Sequence, residues 1–172
     1  MIVDAYNIAD DQPAFEASFQ EQMLSHWRQI QNNRRFPDKR KFRPQNFPKF
    51  LPQLAMVSMD HDKKFDDRLT GETVSEVLRL EESGSKLVRP ADAGIRAIVE
   101  TMLEDATRAD GPLYFKGSFK LSESSSVDFT ALILPFSHDD MEDEMDTLML
   151  AFNFSRKNGT PFTYPNINTS RH

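Results

Sequence analysis

The chain has 172 residues and a mass of 19.8 kDa, enough for one domain with a sizeable core and too little for two. With Gly counted and Tyr left out, about 40% of its residues are apolar, under the 45–50% of an average globular domain, so part of it is expected to be weakly ordered. It has no cysteine, which excludes disulfides, Cys-ligated zinc, iron–sulfur clusters, thiol nucleophiles and Cys-linked flavins and points to a reducing, cytoplasmic setting.

The first 13 residues are expected to be disordered. They hold three Asp and no Lys or Arg, so they do not read as a basic secretory leader, and the Asn-x-Ser/Thr triplets at Asn153, Asn158 and Asn168 read as coincidence. No stretch approaches 18 uninterrupted apolar residues, so no membrane span is expected. Phe15, Phe19, Met23, Trp27 and Ile30 then recur at spacings of four, four, four and three, which predicts an amphipathic helix ending near Asn32 and Asn33. Four prolines at 37, 44, 48 and 52 predict a connector wrapped over the surface, with Phe36, Phe42, Phe47 and Phe50 tacking it to the core.

Leu54–Met59 and Lys64–Thr70 read as a hairpin closed by Gly71, and residues 72–90 as one or two brief helices. Pro90 opens a helix whose apolar positions Ile95, Ile98, Val99, Met102, Leu103 and Ala106 follow the helical period, stopped by Asp110-Gly111-Pro112. Three strands follow, Leu113–Leu121, Val127–Phe136 and Thr147–Ser155, joined closely enough to pair as antiparallel neighbours. Residues 156–172 read as a loose tail, leaving 14–155 as the single domain. The fold class is therefore α+β: a five-stranded antiparallel sheet with helices on one face and an N-terminal amphipathic helix. PAS domains share this order, and cystatin-like and other helix-on-sheet folds fit the pattern as well.

Charge is unevenly placed. Between Arg28 and Lys49 stand eight basic side chains and one acidic, a local net of +7 on a chain whose remainder carries −13. The opposite pole is His138–Asp146, with six carboxylates in nine residues. It lacks the central Gly of an EF-hand loop and reads as a solvated loop rather than a cation site. The basic strip makes Arg34, Arg35, Lys39, Arg40, Lys41 and Arg43 the candidate partner-binding residues, able to meet acidic protein, phosphate or the chain's own acidic face.

Over residues 24–71 the sequence resembles a bacterial family of stand-alone PAS-like domains. The matching features are Leu24–Trp27, Pro37, Arg40, Pro44, Phe50-Leu51-Pro52, the strand that follows, and Arg68-Leu69-Thr70-Gly71, and the later strands Ala131–Ser137 and Leu148–Asn153 fall where that family ends its sheet. The resemblance spans about 24–155. One departure is plain: the family's aromatic-Arg-Leu-x-Gly motif has Asp67 here in place of the aromatic. The resemblance implies a small signalling or regulatory domain without catalysis of its own.

A PAS fold encloses a cavity between helices and sheet, and such sites are mostly apolar. Candidate lining residues are Leu69, Val74, Leu78, Ile95, Ile98, Met102, Phe119, Phe129 and Ile133, against the alternative that they simply fill a core. None of the four His (26, 61, 138, 172) lies on the 91–108 helix where an axial haem ligand would sit, no hydrolase, P-loop or zinc motif occurs, and no cofactor or metal is expected. If Leu148, Leu150, Phe152 and Phe154 form an apolar outer sheet face, the Phe15–Ile30 helix of this chain or of a second copy must cover it, which makes a homodimer an expectation. The sequence thus points to a cytoplasmic, non-catalytic regulatory domain that contacts a protein partner and is gated by a small apolar ligand; the alternative is a phosphate or nucleic-acid binding module using residues 28–49.

Overall fold

A computed structural model describes residues 1–138, 141 and 143–156. The loose tail expected from 157 onward, and half of the acidic loop's carboxylates (139, 140 and 142), lie outside them. In chain order the elements are β1 (Ile2–Asn7), α1 (Ser18–Gln31), three short 3-10 turns at Lys39–Lys41, Pro44–Asn46 and Leu51–Gln53, β2 (Leu54–Met59), β3 (Phe65–Thr70), α2 (Glu72–Val77), α3 (Leu80–Ser83), α4 (Ala93–Arg108), β4 (Leu113–Ser122), β5 (Ser125–Phe136) and β6 (Thr147–Ser155). The strands form one antiparallel sheet in the order β1-β4-β5-β6-β2-β3.

Six strands stand where the sequence pattern gives five. The additional one lies in the segment expected to be disordered: Ile2–Asn7 pairs with β4 from Gly117 to Leu113. Its alternation is weak because only one edge and part of one face are engaged; Val3 is exposed and Ile2 half-buried. What holds it is the β4 edge, a tertiary partner that local periodicity does not register.

Central strands are apolar on both sides because both faces are covered. On one face, α2, α3 and α4 pack over Val127, Phe129, Ala131 and Ile133 of β5 and Leu148, Leu150, Phe152 and Phe154 of β6. On the other, α1 lays Phe19, Met23, Leu24 and Trp27 over Tyr114, Leu132, Leu134, Phe136, Met149 and Ala151. This corrects the expected assignment: the Leu148–Phe154 row faces α2–α4, and α1 covers the odd-numbered partners in the same chain. Both sheet faces are thus covered by the chain's own helices, the Leu148–Phe154 face that suggested a homodimer by α2–α4.

Helix α1 ends where Asn32 takes up a left-handed conformation (φ 49°) that closes the helix. Helix α4 starts where Asp92 accepts the Ile95 N–H at 2.9 Å, capping one of the free donors of the first turn. The connector is pinned by Phe36 and Phe42, both buried, and by the Lys39 N–H donating to Ser137 O and the Ser137 N–H to Pro37 O, at 2.9 Å each.

Candidate functional site

The expected ligand-lining residues do come together, with one exception. Val74, Leu78, Ile95, Met102, Phe119, Phe129 and Ile133 are all at or below 3% exposure in one packed cluster, and Ile98 packs against its rim. Phe119 stacks on Phe129 with ring centroids 4.4 Å apart, and Phe152 stacks on Phe154 at 5.4 Å. Aromatic rings thus fill much of the space between the sheet and α2–α4. Leu69 stands apart: it points outward on edge strand β3 at 39% exposure, because the register of β2 and β3 shifts between Met56 and Val57 and carries the side chain away from the helices.

The other face holds polar atoms that the sequence pattern passed over. Gln20, fully buried on α1, donates from Nε2 to Ala151 O at 2.9 Å and accepts at Oε1 from Thr130 Oγ1 at 3.2 Å and from Tyr114 OH at 3.4 Å. The Trp27 indole N–H donates to Pro135 O at 2.8 Å. These bonds set the register of α1 on the sheet. A glutamine inside an amphipathic stripe was the available signal.

The six cations of the basic strip meet different fates. Arg34 donates to Phe36 O at 3.2 Å and to Ser137 Oγ at 2.8 Å. Arg35 pairs with Asp110 and lies over the Phe36 ring. Lys39 Nζ reaches Asp146 Oδ2 at 3.0 Å. Arg40 forks onto Asp38, Nη2 to Oδ2 at 2.7 Å and Nε to Oδ1 at 3.1 Å, while the Arg40 backbone N–H donates to Oδ1 at 2.9 Å. Those bonds hold the buried Asp38 carboxyl down at about 2, against the opposing effect of burial. Lys41 and Arg43 are exposed, and no described carboxylate pairs with either.

Where the connector meets the sheet's end, Asp146 is a junction. Its Oδ2 receives Lys39 and lies 2.6 Å from His138 Nδ1, without the alignment of a hydrogen bond. Its Oδ1 accepts from Thr147 Oγ1 at 3.0 Å, and its backbone carbonyl accepts from the Met59 N–H at 2.9 Å. Beside it opens a cleft of about 620 Å3 whose walls carry both signs of charge, among them Arg35, His61, Arg108, Asp110 and His138. Two of the strip's cations, Arg35 and Lys39, therefore meet carboxylates of the acidic body of the same chain, one of the three possibilities its charge allowed. Among the described residues no group of three or more His, Asp or Glu is arranged to hold a metal ion, and no helix is long and apolar enough to cross a membrane.

An antiparallel sheet covered on one side by short helices and one longer helix, and on the other by an N-terminal helix that leads into a proline-rich connector, defines an α+β helix-on-sheet domain. A family model described as PAS domain matches residues 15–149, and the chain belongs to that family. Comparison with curated proteins and with solved structures finds no match. The matched span takes in α1, the connector and β2 to β5, ends within β6 and leaves out β1.

Proposed function

We propose that this PAS-family domain is a non-catalytic regulatory module that works through its surface, by contact with another protein. The observation that carries the reading is the contrast between interior and connector. Eight of the nine residues expected to line a ligand cavity pack against one another as core, so a small apolar ligand would have to open that cluster to enter. The connector, by contrast, is fixed in place by buried aromatics and ion pairs and still presents Lys41 and Arg43 to solvent. Rigid presentation of exposed charge is what a recognition surface needs, because little ordering remains to oppose binding.

Native mass spectrometry of the protein eluted gently from its own cells tests this. The expected species is this chain with a second, different polypeptide. A chain alone or paired only with itself, carrying a retained small molecule, would contradict it.

A further inference from the structure

The division among the connector's cations identifies the contact surface more closely. Phe42 is 3% exposed, stacked near-parallel with Phe47 at 5.8 Å and edge-on to Phe136 at 5.3 Å. Its backbone is extended (φ −91°, ψ 120°), as is that of Arg43 (φ −115°, ψ 104°). In extended backbone successive side chains point to opposite sides, so burying Phe42 turns Arg43 outward, and Lys41, the last residue of the preceding 3-10 turn, is exposed beside it. Both are exposed and neither has a described carboxylate partner, whereas Arg35, Lys39 and Arg40 beside them are each held by a carboxylate of this chain. From Lys39 to Met59 the chain has no acidic residue, and Asp38 just before is engaged by Arg40. The half-buried rings of Phe47 and Phe50 lie just downstream.

We infer that Lys41 and Arg43 form a two-cation ridge that receives an acidic segment of another polypeptide, its carboxylates meeting the cations and its apolar side chains the Phe47 and Phe50 rings. This rests on the reading of the domain as a protein-contact module. Carboxylate is favoured over nucleic-acid phosphate by the number of free cations: two would displace only about two counterions from a nucleic acid, too few to hold it at physiological salt. A short acidic peptide needs only local complementarity, with charge setting orientation and encounter rate and the apolar contacts adding residence.

Fluorescence anisotropy with a labelled hexaglutamate peptide, at 20 and 150 mM salt, tests the ridge. The wild-type chain is expected to bind at 20 mM salt, K41E/R43E to bind at least tenfold more weakly, and K63E/K64E, which reverses two exposed cations on the β2–β3 turn, to bind like wild type. Both variants alter exposed side chains, and matched circular dichroism melts establish that they fold. No binding at 20 mM salt, or equal loss in both variants, overturns the proposal. Tighter binding of a ten-residue oligothymidylate with the same K41E/R43E sensitivity also overturns it and gives the ridge to phosphate. If the peptide fails while native mass spectrometry still finds a second polypeptide, the ridge is wrong and the protein-contact reading stands; if the peptide binds and no second polypeptide is found, that reading falls instead.

Discussion

Gly71 lies so close under the carbonyl oxygen of Pro52 that a Cβ on Gly71 would overlap it, together with the Leu51 carbonyl beside it. The Gly71 N–H also donates to Leu54 O at 2.7 Å. Two features far apart in the sequence, Phe50-Leu51-Pro52 and Arg68-Leu69-Thr70-Gly71, are therefore the two sides of one contact, in which the turn entering β2 sits directly on the end of β3. Because both atoms in the clash are backbone, no rotamer change relieves it. Gly71→Ala is expected to destabilise the domain by roughly 1–3 kcal/mol, at the upper end of that range, as measured by urea unfolding. An unchanged midpoint would show that the two segments separate freely.

Asp67, immediately before Arg68 on β3, has a task of its own. Its Oδ2 accepts the Leu87 N–H at 2.7 Å and its Oδ1 the Val88 N–H at 3.1 Å, and Leu87 is fully buried in the helix-side core. The carboxylate thereby ties the segment after α3 to edge strand β3 and uses donors that no sheet partner claims. Asp67→Ala leaves those N–H groups without their acceptor at a cost of about 1–3 kcal/mol. Amide exchange at residues 87 and 88 should accelerate well beyond the global change; protection equal to wild type would contradict the assignment.

Gln20 makes a sharper test because its amide both donates and accepts. Gln20→Ala is expected to cost about 1–3 kcal/mol by stranding the Tyr114 and Thr130 hydroxyls. Gln20→Glu at neutral pH sets a buried carboxylate beside the Ala151 carbonyl, so its pKa rises. A raised folded-state pKa gives stability at low pH that is lost as pH rises, and Gln20→Glu should therefore be closer to wild type at pH 4 than at pH 7. The opposite order in thermal melts would mean that residue 20 is solvated.

The Asp38–Arg40 fork sets part of the acid limb of stability. Asp38 is held at about 2, first by the Arg40 side-chain bonds, below an unfolded value near 3.9. Its contribution, about 2 kcal/mol, is complete above the unfolded value and disappears as pH falls toward 2. The exposed Asp66 beside Lys86 is lowered in the same direction. Asp38→Asn should lose stability at pH 6 and approach wild type at pH 2.5; a constant gap at both pH values would place the effect elsewhere.

Much of the fold was legible because period and punctuation agree along it. Leu54–Met59 falls where the short apolar run put it and Thr147–Ser155 where the alternation did, and the α1 stripe ends on the expected asparagines. What escaped was decided by tertiary partners. β1 exists through the β4 edge, where Gly117 lets the chain approach so closely that a Cβ would meet Met1 O at 2.5 Å. Alternation told that Leu148, Leu150, Phe152 and Phe154 share a face, but not which helices cover it, since Met149 and Ala151 are apolar too. At the candidate surface, the strip's charge was visible from composition. Its division into paired and unpaired cations depends on Asp110 and Asp146, more than 70 residues downstream, and no local pattern connects them.

The central claim is that the connector's outward face touches another protein. The most direct measurement is photo-crosslinking in living cells, with a benzoylphenylalanine in place of the exposed Gln45, two residues past the ridge, and the same probe in place of Glu123 at the far end of the sheet. The account predicts a discrete heavier species from position 45 that disappears in the K41E/R43E background and is absent from position 123. No crosslinked species at 45, or one that survives reversal of both charges, would contradict it.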